Sequence, residues 1–229
     1  PGEARAIMAG CGSPHARWAA LVPADRAGRE IARDLHEAAA ALGYTLDPVI
    51  VVEPTLTDFA MLDPRLPRPW PDGLLIWLEA VPAALSAKHL RNAGFHGHLA
   101  GPSRLRSAPF REHAGFALNG FILPRIETDD TTAALAARFE TDYQRAFGEP
   151  PTPTAALACD AVSLLIHLAR RSAPGELHRQ FPIREAPPGI TGPLEFDRMG
   201  NRIVSLRLNQ SRHGEWIGFK PMEPASGEQ

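Results

Sequence analysis

Between Arg17 and Pro124 the sequence alternates short apolar runs with stretches of helical spacing, and that alternation restricts the chain to few folds. Trp18 to Val22 (WAALV) is bounded by Pro23, and Ala24 to Leu42 then carries Ile31, Leu35 and Ala39 at helical spacing up to Gly43. Asp25 is suited to cap that helix, because its carboxylate can accept free amide hydrogens of the first turn. Pro48 to Val52 (PVIVV) has the β-branched content of a strand buried on both faces. The pattern predicts a short helix in 57–66, a strand at Gly73–Leu78, and a helix from Pro82 to Asn92 closing at Gly94. A strand at His98–Gly101, a helical turn or two at Arg106–His113 and a strand at Gly120–Leu123 follow. This order implies a parallel, doubly wound α/β sheet with ligands at the carboxyl ends of its strands.

After Pro124 the character changes. Asp129–Phe147 and Thr154–Arg171 read as two consecutive long amphipathic helices, parted by Gly148-Glu149-Pro150-Pro151. Beyond Gly189, residues 192–197 and 202–208 read as strands around the Met199-Gly200-Asn201 turn, with Trp216–Phe219 as a hairpin partner. The expected division is a lobe of residues 17–124 and 201–222, a partial helical lobe of residues 125–200, and tails at 1–16 and 223–229.

Composition excludes several classes of function. With 44% apolar and 22% charged residues the chain reads as globular, and 24 basic against 26 acidic residues give no basic footprint for nucleic acid. The apolar run Leu74–Leu78 is far short of the roughly 20 residues of a membrane span. Ile7–Cys11 (IMAGC) loosely resembles a lipoprotein cleavage box, but Pro1–Ala6 supplies no hydrophobic segment before it. The start at Pro1 suggests that a leader, or more, precedes this chain. Cys11 and Cys159 read as two independent small residues, and one possible pair cannot fix the redox compartment. His89, His96 and His98 lack the further ligands a metal site needs, so no metal or cofactor is expected. There is no G-x-S-x-G elbow, phosphate loop or H-E-x-x-H pair, and Gly10-Cys11-Gly12-Ser13 precedes the first strand instead of following one. No catalytic residues are assigned, although a hydrolase built from dispersed residues stays open, because triads are recognised only in space.

Five segments, in order, resemble the type I periplasmic binding proteins, in particular the branched-chain amino-acid receptors of ABC importers. Ala19–Ile31 resembles the strand and turn "valv-ddaYGrg", and Asp72–Gly101 resembles "D-strand-helix-RaaGfkgpllG". Ala114–Pro124 resembles "aGeaaeGvilp", and Phe139–Leu165 is similar to "F-x-x-x-Y-x-x-x-fG-x-x-P" followed by "YDAv". Thr191–Gly200 (TGPLEFDRMG) is similar to "G-G-x-v-x-FD-x-x-G". The resemblance implies a solute-binding protein of an ABC-type importer, periplasmic or extracellular, with a small-molecule ligand in an interlobe cleft and an ABC permease as possible partner. A ligand sensor on the same fold is the alternative, and neighbouring permease and ATPase genes, or a kinase or regulator, would discriminate them.

The departures concern the ligand. In the family roughly a hundred residues, about one small domain, precede the segment matched by Trp18, so most of the first lobe has no counterpart here. The resemblance assigns to that lobe the hydroxyls and amides that hold an amino acid's carboxylate. The aromatic of "YG" falls on Ala27, removing a ring that would cover an apolar ligand. The strand-end tyrosine falls near Glu79, and the acid that meets the ligand ammonium near Ser103. Cys159 stands at the tyrosine of "YDA". Glu79 can be read as an acceptor for a cationic or hydroxylated ligand or as a solvated loop carboxylate, and Asp25 as a cleft residue or only a cap. Arg26, Trp77 and Arg104 flank these positions and complete the expected lining: Asp25, Arg26, Ala27, Trp77, Glu79, Ser103 and Arg104. An aliphatic amino acid is not the expected ligand.

Overall fold

A computed structural model describes residues 2–219 apart from 57, 174, 181, 182 and 184. Its described residues fall into a larger unit, 2–125 with 207–219, and a smaller one, 126–206. The expected tail at 223–229 lies outside the described residues.

The larger unit opens with helix α1 (Gly2–Cys11), followed by β1 (Arg17–Pro23), α2 (Arg26–Ala40), β2 (Thr45–Val52) and a 3-10 segment, Phe59–Arg65. β3 (Gly73–Ile76), α3 (Ala80–Asn92), β4 (His98–Ala100), α4 (Ala108–Ala114) and β5 (Ile122–Ile126) continue the alternation. β8 (Leu206–Arg212) and β9 (Glu215–Gly218) form an antiparallel hairpin at the far edge. The sheet order is β2-β1-β3-β4-β5-β8-β9, and the first five strands pair in parallel. β2 lies on one side of β1 and β3 on the other, so the strand order reverses at β1, where ligands bind in such sheets. In register, Leu21 stands beside Ile76 and Leu75 beside Ala100, which brings the carboxyl ends of β1, β3 and β4 level.

Strands buried on both faces need cover on both. On one face Leu21, Leu74, Ile76 and Leu99 pack with Ala83, Ala87 and Leu90 of α3 and Phe110 of α4. On the other, Trp18, Ala20, Val22, Leu75 and Ile122 pack with Leu35 and Ala38 of α2 and with Ile7 and Met8 of α1. Residues 2–11 therefore correct the expected tail at 1–16. Ala4, Ile7 and Met8 recur at three- and four-residue spacing, and burying that stripe on the sheet orders the helix.

In the smaller unit, α5 (Asp130–Phe147) starts at an Asp129 cap that accepts from the Thr132 amide at 2.7 Å and ends at Gly148, whose φ of 79° suits a left-handed terminus. α6 (Pro153–Ala169) starts with a Thr152 cap and a first-turn proline. β6 (Glu195–Phe196) and β7 (Arg202–Ile203) pair antiparallel. That pairing keeps Arg202 and Ile203 in this unit, so the chain returns to the larger unit after Leu206, not at the Gly200 turn expected from sequence. Leu157, Val162, Leu165 and Ile166 of α6 stay exposed, while Leu164 and Leu168 are buried.

Candidate ligand-binding edge

Every candidate residue lies just past the carboxyl end of β1, β3 or β4. Asp25 caps α2, its Oδ1 accepting from the Gly28 amide at 2.7 Å. The turn is possible only because residue 28 is glycine: a Cβ there would stand 1.8 Å from the Pro23 carbonyl oxygen. Arg26 faces outward and pairs with Glu30 at 3.1 Å, and Ala27 is exposed beside it.

At the end of β3, Trp77 donates its amide to Leu21 O at 2.8 Å and leaves its side chain in the core shared with α1 and α2, 9% exposed. The sequence assigns it to the cleft lining, but strand alternation turns this bulky apolar side chain toward the helices. Glu79 occupies the cap position of α3 but makes no side-chain cap bond. It is 85% exposed and stands 3.9 Å from Nε of Arg104, whose Nη2 donates to Leu78 O at 3.3 Å. Gly101 lets the next loop approach: a Cβ there would lie 2.8 Å from Ile76 O.

Ser103 holds the main surprise. Its amide and hydroxyl donate to the carboxylate of Glu3, from the first turn of α1. An acid therefore does stand at this position, supplied from a hundred residues away. No local signal in the sequence marks Glu3. The structure thus brings Glu79, Ser103 and Arg104 together with Glu3, and sets Asp25, Arg26 and Ala27 at the neighbouring strand end. Among the described residues no cluster of His, Cys, Asp and Glu is placed to hold a metal ion.

The smaller unit has features of its own that the sequence reading missed. Asp160, 4% exposed, accepts from the amides of Ile190 (2.7 Å) and Thr191 (3.0 Å) and from the Thr191 hydroxyl (2.5 Å). Arg202 completes the lock by donating to Thr191 Oγ1 at 2.7 Å, Gly192 O at 3.0 Å and Pro193 O at 2.9 Å. Burial lowers the pKa of Arg202 and the Asp160 charge opposes that shift. Both ends of this lock fall in the "YDA" and Thr191–Gly200 segments, but their separation hid the contact. Beside it lies a cavity of about 890 Å³ lined by Asp129, Thr132, Glu185, Pro188, Leu194 and Phe196 among others.

A sequence model of a periplasmic binding protein family matches residues 4–181, and the chain belongs to that family. The fold is shared with solved structures of low sequence identity. A branched-chain amino acid ABC transporter protein from Rhodospirillum rubrum superposes with a TM-score of 0.78 at 22% identity, covering 94% of this chain and 63% of that one. A leucine binding protein from Thermotoga maritima gives 0.76 at 18% identity, covering 96% and 64%. A branched-chain amino acid transporter substrate binding protein from Streptococcus pneumoniae, in complex with isoleucine, gives 0.73 at 18% identity, covering 97% and 65%. The chain thus spans under two thirds of these relatives' length. A search of curated proteins returned no match.

Proposed function

We propose that the chain serves as the solute-binding component of an ABC-type importer, working with a permease in the periplasm or outside the cell, and binds its ligand without chemical turnover. The observation that carries this reading is the level row of loops after β1, β3 and β4 at the point of strand-order reversal, in a member of the periplasmic binding protein family. The ligand is a small polar molecule carrying an amine or hydroxyl groups. Glu79, exposed and making no side-chain cap bond, supports an acceptor role, with Arg104 3.9 Å away and Asp25 past the end of the neighbouring strand β1. Aliphatic amino acids fit poorly, because Ala27 offers no ring and Trp77 is committed to the core, leaving neither to cover an apolar side chain.

Calorimetric titration with leucine, isoleucine and valine, followed by polyamines, polar amino acids and polyols, tests this reading. Binding of a polar solute that weakens in Glu79→Gln is the expected result. Micromolar binding of any of the three aliphatic amino acids would overturn the ligand assignment, and steady turnover of a bound solute would overturn the non-catalytic one.

A further inference from the structure

We infer that Arg106, Arg125 and Trp216 form a second binding site in the larger unit, for a small oxyanion of the carboxylate or phosphate type. Arg106 follows the 3-10 turn after β4, and its guanidinium lies over the indole of Trp216 in β9, 4.8 Å from the ring centroid. Stacking of this kind fixes the plane of the fork and leaves its edge to donate hydrogen bonds. Yet Nη2 of Arg106 is buried and has no hydrogen-bond partner. A buried charged donor without an acceptor is costly, and native proteins satisfy nearly all such groups. Other half-buried arginines here conform: Arg91 reaches Phe95 O at 2.7 Å and Gly97 O at 2.9 Å.

Arg125 supplies the second charge. Within β5, side chains two apart share a face, so Arg125 stands on the face of Phe121 and Leu123, the face against which Trp216 also packs. The Arg125 charge is close enough to add to burial in lowering the pKa of Arg106. Among the described residues no carboxylate forms an ion pair with either arginine. Two guanidinium charges within electrostatic reach of each other, one with an orphaned buried donor, repel without a counter-charge. An oxyanion would neutralise both and accept the free hydrogen bond. A purely structural role in covering Trp216 would need Arg106 alone; it would require neither the second arginine nor the unpaired donor.

The test titrates the full chain with sodium phosphate and, separately, sodium succinate by calorimetry, at ionic strength held constant with sodium chloride. Saturable binding of at least one anion is expected. It should weaken roughly tenfold or more in Arg106→Gln and in Arg125→Gln, as loss of charge-assisted hydrogen bonds implies. Arg125 is exposed, so its replacement carries little folding risk, and Arg106→Lys keeps the charge beside Trp216 while removing the fork. Circular dichroism monitors the fold of each variant. The exposed Arg111→Gln on α4 should bind as the parent does. Binding of phosphate alone or succinate alone supports the site and assigns its class. Absence of saturable binding by both anions, equal weakening in Arg111→Gln, or unchanged binding in folded Arg125→Gln overturns it. The outcome does not depend on the solute of the β1–β3–β4 edge, and Glu79→Gln should leave it unchanged.

Discussion

Replacing Gly28 by alanine sets two physical effects of opposite sign against each other. On helix propensity alone, alanine within α2 should stabilise the protein by up to about 1 kcal/mol, and no positive φ at Gly28 stands in the way. The close approach argues otherwise. The new Cβ would stand 1.8 Å from the Pro23 oxygen and 2.8 Å from its carbonyl carbon, and both are backbone atoms that cannot rotate aside. The first turn of α2 must move by more than 1 Å, roughly the shortfall from van der Waals contact near 3.5 Å. Overpacking of this kind costs about 1–3 kcal/mol. The shift also breaks the 2.7 Å cap from Gly28 N to Asp25, worth about 1 kcal/mol. With propensity subtracted, Gly28→Ala should destabilise by roughly 1–3 kcal/mol. Urea denaturation of the parent, Gly28→Ala, Asp25→Ala and the double variant measures both terms. The cap contribution should be smaller in the Gly28→Ala background than in the parent. A neutral or stabilising Gly28→Ala would refute the tight β1–α2 turn, and with it the placement of Asp25 at the edge.

Asp160→Ala should cost about 3 kcal/mol, since it strands two amides and the Thr191 hydroxyl; loss of hydrogen-exchange protection at Ile190 and Thr191 checks it. His98 has its pKa lowered by burial first and by Arg91 second, against an opposing Asp72, so the unfolded chain binds the proton more readily. Stability is therefore complete above the ordinary histidine value near 6.5 and lost as pH falls below it through the folded value. His98→Gln should flatten that decline in urea midpoints measured from pH 7.5 to 5, and an unchanged slope would contradict it. Burial pushes the Cys11 thiol up to about 12, so iodoacetamide at pH 8 should label it far more slowly in the native protein than in urea.

Periodicity made the larger unit legible because the signal is local. Val49 to Val52 and Leu74 to Ile76 declare strands by their own content, and Asp25 declares the start of a helix. Trp77 shows where that logic stops: an apolar residue at a strand end reads equally as pocket lining or core, and only the cover of α1 and α2 decided for the core. Asp160 shows the converse, a polar residue on an apolar helix whose partners lie 30 and 31 residues on.

Glu3 joins these lessons to the ligand. α1 has ten residues, which at 1.5 Å each span about 15 Å, enough to cross the face of the sheet. Its last turn lies near the start of β1, because only Gly12 to Ala16 connect the two, so its first turn must reach the opposite, carboxyl edge of the strands. The apolar stripe of Ala4, Ile7 and Met8 fixes the rotation of the helix and delivers the Glu3 carboxylate to the Ser103 loop. Taken alone, serine at position 103 implies an edge that has lost its acid. With α1 docked, the Glu3 carboxylate stands there, and both its oxygens accept from Ser103. A cationic group entering there competes with those bonds instead of meeting an unengaged carboxylate. Ser103→Ala frees Glu3 from the hydroxyl while keeping the amide contact, so an amine ligand of this edge should bind at least as tightly in that variant, whereas Glu3→Gln should weaken it. Calorimetry with the tightest amine from the solute panel decides the matter, and weakening in Ser103→Ala equal to that in Glu3→Gln would show that the hydroxyl, not the acid, is the group the ligand meets.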